Sequence, residues 1–168
     1  MTRVWLIRHG EPVEQARSRC YGSLDVGLSE AGRTQIAEVA RYVTREPLAA
    51  LYCSPRSRAV ESAEILAGPS RKLQIVPDLA EINFGDFEGL TYDEIATRYP
   101  EIYEQWMDAP TKVHFPNGES FAQMRDRVLN AFKALLDMND SETIAIVSVW
   151  CDHRRRLGEI QSNRGWSA

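Results

Sequence analysis

Four short apolar runs punctuate the chain, at residues 4–7, 48–53, 73–76 and 144–147. Each is bounded by polar or glycine-containing turns and is too brief to make a useful helix, so all four are read as buried strands. Between them the period changes. Ser29 can cap a helix whose apolar stripe is Ile36, Val39, Ala40 and Val43, and Ser54-Pro55 offers a cap and a first-turn proline for a helix running through Ile65. Thr91 and Glu94 have the spacing of a capping box. The longest helix is predicted after Asn117-Gly118, with Phe121, Met124, Val128, Phe132 and Leu135 at near-helical intervals.

Strands that are apolar throughout and alternate with helices predict an α/β fold, a three-layer sandwich with helices on both faces of a mostly parallel sheet. In such a fold ligands bind beyond the carboxyl ends of the strands. Arg8-His9-Gly10 follows the first strand, residues 54–58 follow the second and Ser148-Val149 follows the fourth, so all three can face one crevice.

The length of 168 residues suits one domain with a substantial core. We assign that domain to residues 1–148, because residues 149–168 carry four arginines and no apolar periodicity. With 24 acidic and 20 basic side chains the formal charge is −4, which gives no global attraction for nucleic acid or an anionic membrane. An anionic ligand must then be held by individually placed cations. No apolar run is long enough for a signal peptide or a membrane span, and Cys20, Cys53 and Cys151 are an odd number without metal-site spacing, so a cytoplasmic chain with reduced thiols is expected.

Arg8-His9-Gly10-Glu11 holds the parts that an attack on phosphorus requires. A neutral imidazole has a lone pair to donate, an adjacent guanidinium can offset charge on phosphoryl oxygens, and Gly10 permits close approach of the backbone. On this tetrapeptide alone a surface histidine in a turn is an equal reading. Rival phosphatase chemistries fit less well. Cys53 and Arg58 enclose one residue fewer than the phosphate cradle of a cysteine phosphatase needs, and one of those residues is Pro55, which has no N–H to give. No cluster of Asp or His has metal-ligand spacing, so a metal-free mechanism is expected, and hydrolysis implies no cofactor.

Three segments together carry a resemblance: Arg8-His9-Gly10-Glu11, then Ser54-Pro55-Arg56-Ser57-Arg58-Ala59, then the stretch from Glu81 to Gly89 reading Glu-Ile-Asn-Phe-Gly-Asp-Phe-Glu-Gly. They resemble the histidine phosphatase superfamily, also called phosphoglycerate mutase-like, over nearly everything from Arg3 to Ser148. The resemblance implies that His9 becomes phosphohistidine, that Arg8 and Arg58 clamp the phosphoryl oxygens, and that Glu81 protonates the leaving alkoxide. These four form the expected catalytic set. Glu11 and Glu88 are read as structural hydrogen-bond acceptors and Arg56 as a solvated arginine at a helix start.

The segment from Cys20 to Glu30 and the Phe115-Pro116-Asn117-Gly118-Glu119-Ser120 stretch look like the branch containing α-ribazole phosphatases, which act in cobalamin assembly. This implies that Tyr21 and Gly22 lie near the substrate, beside Arg8, Gly10 and Arg58, although a turn plugged by an aromatic ring explains them equally well. Gln15 stands where phosphoglycerate mutases have asparagine, and the segment between Glu81 and Gly118 lacks the longer insertion of those mutases. Hydrolysis of a small phosphomonoester, such as α-ribazole 5'-phosphate, is therefore favoured over a mutase-type phosphotransfer.

The resemblance breaks after the fourth strand. Family members place a second histidine there, usually in Ser-His-Gly-Gly-Val-Ile, whereas this chain has Val149 followed by Trp150-Cys151-Asp152-His153-Arg154-Arg155-Arg156. Losing one preorganised donor costs on the order of 10²- to 10³-fold in rate, so impaired catalysis is expected, with an inert phosphate-binding remnant as the alternative. His153 and His114 are read as tail and loop residues. An incomplete domain would leave core surface uncovered and favour self-association. One hypothesis accounts for the ending: the codons of Trp150-Cys151-Asp152, read one nucleotide later, admit Gly-Val-Ile. Resequencing the coding DNA is expected to show the shifted frame running on into an apolar, helix-patterned segment; a shifted frame without that pattern refutes the idea.

Overall fold

A computed structural model of the chain describes residues 1–149 apart from 17, 18, 44, 46 and 70. Strands β1 (Arg3–Arg8), β2 (Ala50–Cys53), β3 (Leu73–Ile75) and β4 (Thr143–Ser148) form one sheet in the order β1-β4-β2-β3, and every neighbouring pair is parallel. The last strand thus lies between the first two. Its run from Ile144 to Val147 is buried on both faces, which is why it reads as uniformly apolar.

Alternation along the strands divides the core into two layers. On one face Ile7, Leu51, Cys53, Ala145 and Val147 pack against α1 (Glu30–Val43) and α2 (Ser57–Ala67). On the other Tyr52, Ile144 and Ile146 meet Ala131 and Leu135 of α5 (Phe121–Met138). The three-layer α/β sandwich expected from the sequence is the fold observed. Among the described residues β1 pairs only with β4, and Leu6, on the α5 face of that strand, is 53% exposed.

A separate aromatic cluster lies beyond the sheet, built from α3 (Tyr92–Arg98), α4 (Pro100–Asp108) and the loops around them. Phe84, Trp106 and Phe115 are mutually in ring contact, with centroids 5.5 Å, 4.8 Å and 5.3 Å apart. Rings at these separations anchor the loop that carries residues 81–90.

The helix ends hold one correction. Ser29 does cap α1, accepting from the Gly32 N–H at 3.0 Å, and the Thr91–Glu94 capping box is present. Ser54-Pro55, however, does not start α2. The helix begins at Ser57, and its first N–H and the Ser57 hydroxyl are taken by the carboxylate of Asp25, at 2.8 Å and 2.7 Å. The cap comes from a residue distant in sequence, so no local pattern could reveal it. Ser54 instead ends β2, donating its N–H to Val147, with its hydroxyl buried and unpaired.

Candidate active site

The carboxyl ends of the strands converge on one crevice. Arg8 and His9 lie at the end of β1, the first turn of α2 supplies Arg58, and the segment after β3 turns through a short 3-10 helix (Pro77–Leu79) to deliver Glu81. His9 and Glu81 each feel the charges of both Arg58 and Arg8, so the four side chains expected from the sequence share one electrostatic neighbourhood.

His9 is buried, with its N–H bonded to the Ser148 carbonyl and its ring Nδ1 2.6 Å from the Gly10 carbonyl. A carbonyl can only accept, so Nδ1 carries the hydrogen and the lone pair sits on Nε2. Burial pushes the pKa of the imidazole down to about 4, with Arg58 and Arg8 acting in the same direction and the Gly10 bond opposing them. The ring is thus neutral over the ordinary pH range, as a nucleophile must be.

Gly10 is glycine for a reason other than the one read from the sequence. A Cβ there would collide with the backbone of Gly32 in α1, and its N–H is already donated to the Ser62 hydroxyl at 3.1 Å. Ser62 in turn donates to the Arg58 carbonyl at 2.7 Å, which ties the His9 turn to α2. Sequence reasoning passed over Ser62. Its spacing four residues beyond Arg58, on the same helical face, was the available signal.

Arg58 is completely buried. Its Nη2 donates to the Gly22 carbonyl at 3.2 Å and its Nη1 to the Leu24 carbonyl at 3.4 Å, while its guanidinium lies 5.0 Å from the centre of the Tyr21 ring. Burial lowers its pKa, opposed by Glu81. The Nε–H is buried without a hydrogen-bond partner, which leaves one donor open to an acceptor near the His9 imidazole. Tyr21 and Gly22, which the resemblance placed near substrate, both contact Arg58. Gly22 must be glycine because a Cβ would strike the Ile82 carbonyl.

The loop that grips Arg58 is itself gathered by Glu88. That carboxylate accepts from the N–H groups of Gly22, Ser23, Leu24 and Phe84 at 2.9, 2.7, 3.0 and 3.1 Å, and from the Ser23 hydroxyl at 3.0 Å. Its reading as a hydrogen-bond acceptor agrees with this geometry. Glu81 differs sharply from it. Burial raises the Glu81 pKa to about 7, against the Ile82 N–H bond and the two arginines, so near neutrality the carboxyl can hold or release a proton.

Val149, where the resemblance expects a second histidine, is buried in the α1/α2 layer of the core. His114 is exposed in a bridge with Ser120. His153, Cys151 and the arginine-rich segment lie outside the described residues, as does the side chain of Gln15. Burial raises the Cys53 thiol to about 11, which suits a core residue and not a thiolate nucleophile. No helix among the described residues is long and apolar enough to cross a membrane.

Glu88→Ala removes the acceptor that gathers four backbone donors, so the protein is expected to keep its far-ultraviolet circular dichroism while its affinity for inorganic phosphate, measured by calorimetry, falls about tenfold or more. Unchanged affinity would show that the loop holds Arg58 without Glu88.

Comparisons with known proteins identify the family. The chain is 35% identical over 147 residues to phosphoglycerate mutase-like protein 4 of Arabidopsis thaliana, covering 85% of this chain and 64% of that protein. It thus spans slightly less than two thirds of that relative. It is 31% identical over 150 residues to phosphoserine phosphatase 1 of Hydrogenobacter thermophilus, covering 88% and 71% of the two chains. An Escherichia coli crystal structure provisionally described as an alpha-ribazole-5'-P phosphatase superposes with a TM-score of 0.80 at 27% identity, over 88% of this chain and 73% of that one. The model of the histidine phosphatase superfamily (branch 1) matches residues 4–149, and the chain belongs to that family.

Proposed function

We propose that the chain is a phosphomonoester hydrolase working through a phosphohistidine on His9. The observation that carries this reading is the pairing of a neutral, buried imidazole, its lone pair on Nε2, with a buried carboxyl whose pKa is about 7, both beside Arg8 and Arg58. Nε2 attacks phosphorus, the ester P–O bond breaks, and its electron pair stays on the departing oxygen. Glu81 gives that oxygen its proton, without which an alkoxide leaves poorly. The Glu81 carboxylate then takes a proton from water as its oxygen attacks phosphorus, the P–N bond breaks, and inorganic phosphate leaves. Arg58 and Arg8 meet the charge that builds on the phosphoryl oxygens; Arg58 does so from a dry site where each hydrogen bond counts for more.

The finer reading is a small phosphorylated metabolite as substrate. α-Ribazole 5'-phosphate is favoured by the segments around Tyr21 and Gly118 and by the superposition on the Escherichia coli structure. The relatives' names span different alcohols, so the leaving group is the part of the substrate on which members of the family diverge. Val149 supports a second reading, a remnant that binds phosphate and turns it over slowly or not at all.

Incubation with p-nitrophenyl phosphate and acid quenching tests the proposal. Trapped phosphoenzyme and turnover, both lost in His9→Ala, are expected; phosphate binding without either supports the remnant. Hydrolysis needs His9 unprotonated, above about pH 4, and Glu81 protonated, below about pH 7. The pH profile of kcat/KM, corrected for ionisation of the substrate, is therefore bell-shaped with limbs near those values, and Glu81→Gln removes the alkaline limb.

A further inference from the structure

A cavity of roughly 250 Å³ opens beside Glu81, with Arg56, Asn83, Glu119 and Arg127 in its walls. Two of these charges answer each other. Arg127 donates from Nε and Nη2 to the two oxygens of Glu119 at 3.1 Å and 2.8 Å, and from Nη1 to the Asp78 and Ala80 carbonyls at 2.9 Å and 3.0 Å. It has little left to offer a ligand.

Arg56 is different. It is not the solvated arginine read from the sequence: it is half-buried, its Nε–H is fully buried without a partner, and no described residue hydrogen-bonds to or pairs with its guanidinium. Asp25 lies within its field, but both carboxylate oxygens there are bonded to Ser57. Arg58 adds a second positive charge nearby. Asn83 accepts at Oδ1 from the Gly85 N–H at 2.9 Å and from the Ser23 hydroxyl at 3.3 Å, which leaves its amide nitrogen without a described partner. The cavity therefore presents one cation whose buried Nε–H has no described hydrogen-bond partner, and one neutral donor. A buried N–H left without an acceptor is costly, and an anion entering there would supply one.

Position decides which part of a substrate that anion belongs to. Glu81 protonates the leaving oxygen in the hydrolase reading, so the space next to it receives the alcohol half of the ester. We propose that Arg56, with the amide of Asn83, forms a subsite for a carboxylate carried on the alcohol side of the phosphomonoester. A planar guanidinium matches a carboxylate through paired hydrogen bonds, which a neutral riboside cannot supply. The inference rests on the hydrolase reading but departs from its finer part: it selects phosphorylated hydroxy or amino acids in place of α-ribazole 5'-phosphate, whose alcohol half carries no carboxylate.

Calorimetric titration of the full chain tests this without requiring turnover. The probes are inorganic phosphate, 3-phosphonopropionate and its carboxamide counterpart, which has nearly the same shape at the far end but no charge and one acceptor oxygen fewer. The acid is expected to bind about tenfold or more tightly than the amide, and Arg56→Met to bring that ratio close to one. Equal affinities of acid and amide for the wild-type protein overturn the subsite, as does a ratio that survives in Arg56→Met. The wild-type comparison stands even if the variant fails to fold. Failure of inorganic phosphate to bind would remove the hydrolase reading as well, whereas phosphate binding without preference for the acid removes the subsite alone.

Discussion

The site depends on one costly arrangement, a guanidinium taken entirely out of water. Arg58 is kept there by two loop carbonyls and an aromatic face, none of which carries a formal charge to neutralise it. In the hydrolase reading its positive charge meets the incoming phosphoryl group, and it acts electrostatically on both His9 and Glu81. The imidazole of His9 is driven towards its neutral form by burial and by this cation together. The carboxyl of Glu81 keeps its proton because burial outweighs the attraction of the same cation. Burial thus sets two groups in the protonation states that the proposed nucleophile and acid need, by opposite effects on a base and an acid.

The fold supplies that pocket by bringing together pieces far apart along the chain. A parallel sheet directs all its carboxyl ends to one rim, and the insertion of β4 between β1 and β2 sets the His9 turn and the start of α2 on either side of the Ser148-Val149 end. Glycine contacts close the gaps, Gly10 against Gly32 and Gly22 against the Ile82 backbone. The aromatic cluster around Trp106 then fixes the loop from which Glu81 and Glu88 reach towards the rim. Core packing and site geometry are in this way the same set of contacts.

Much of this was legible in the sequence, and the failures share a cause. Uniformly apolar strands and stripes such as Ile36, Val39, Ala40 and Val43 report burial directly, so the layers and the rim could be read from them. Side chains fixed by distant partners could not. Asp25 caps a helix that begins at Ser57 through a contact with no local signature, and the i,i+4 spacing of Ser62 from Arg58 gives no hint that Ser62 also holds the His9 turn. Arg56 was misjudged because arginines at helix starts are usually solvated, and only the three-dimensional neighbourhood reveals a buried Nε–H beside Glu81. Glu88 was recognised as an acceptor, but the number of donors it gathers becomes visible only when residues 22–24 and 84 meet.

The most direct test of the central claim is the ionisation and tautomer of His9, read by nitrogen-15 nuclear magnetic resonance across a pH titration. The account predicts a neutral ring down to about pH 4, with hydrogen on Nδ1 and the lone pair on Nε2. A ring that protonates near the ordinary histidine value, or one with its hydrogen on Nε2, would contradict it.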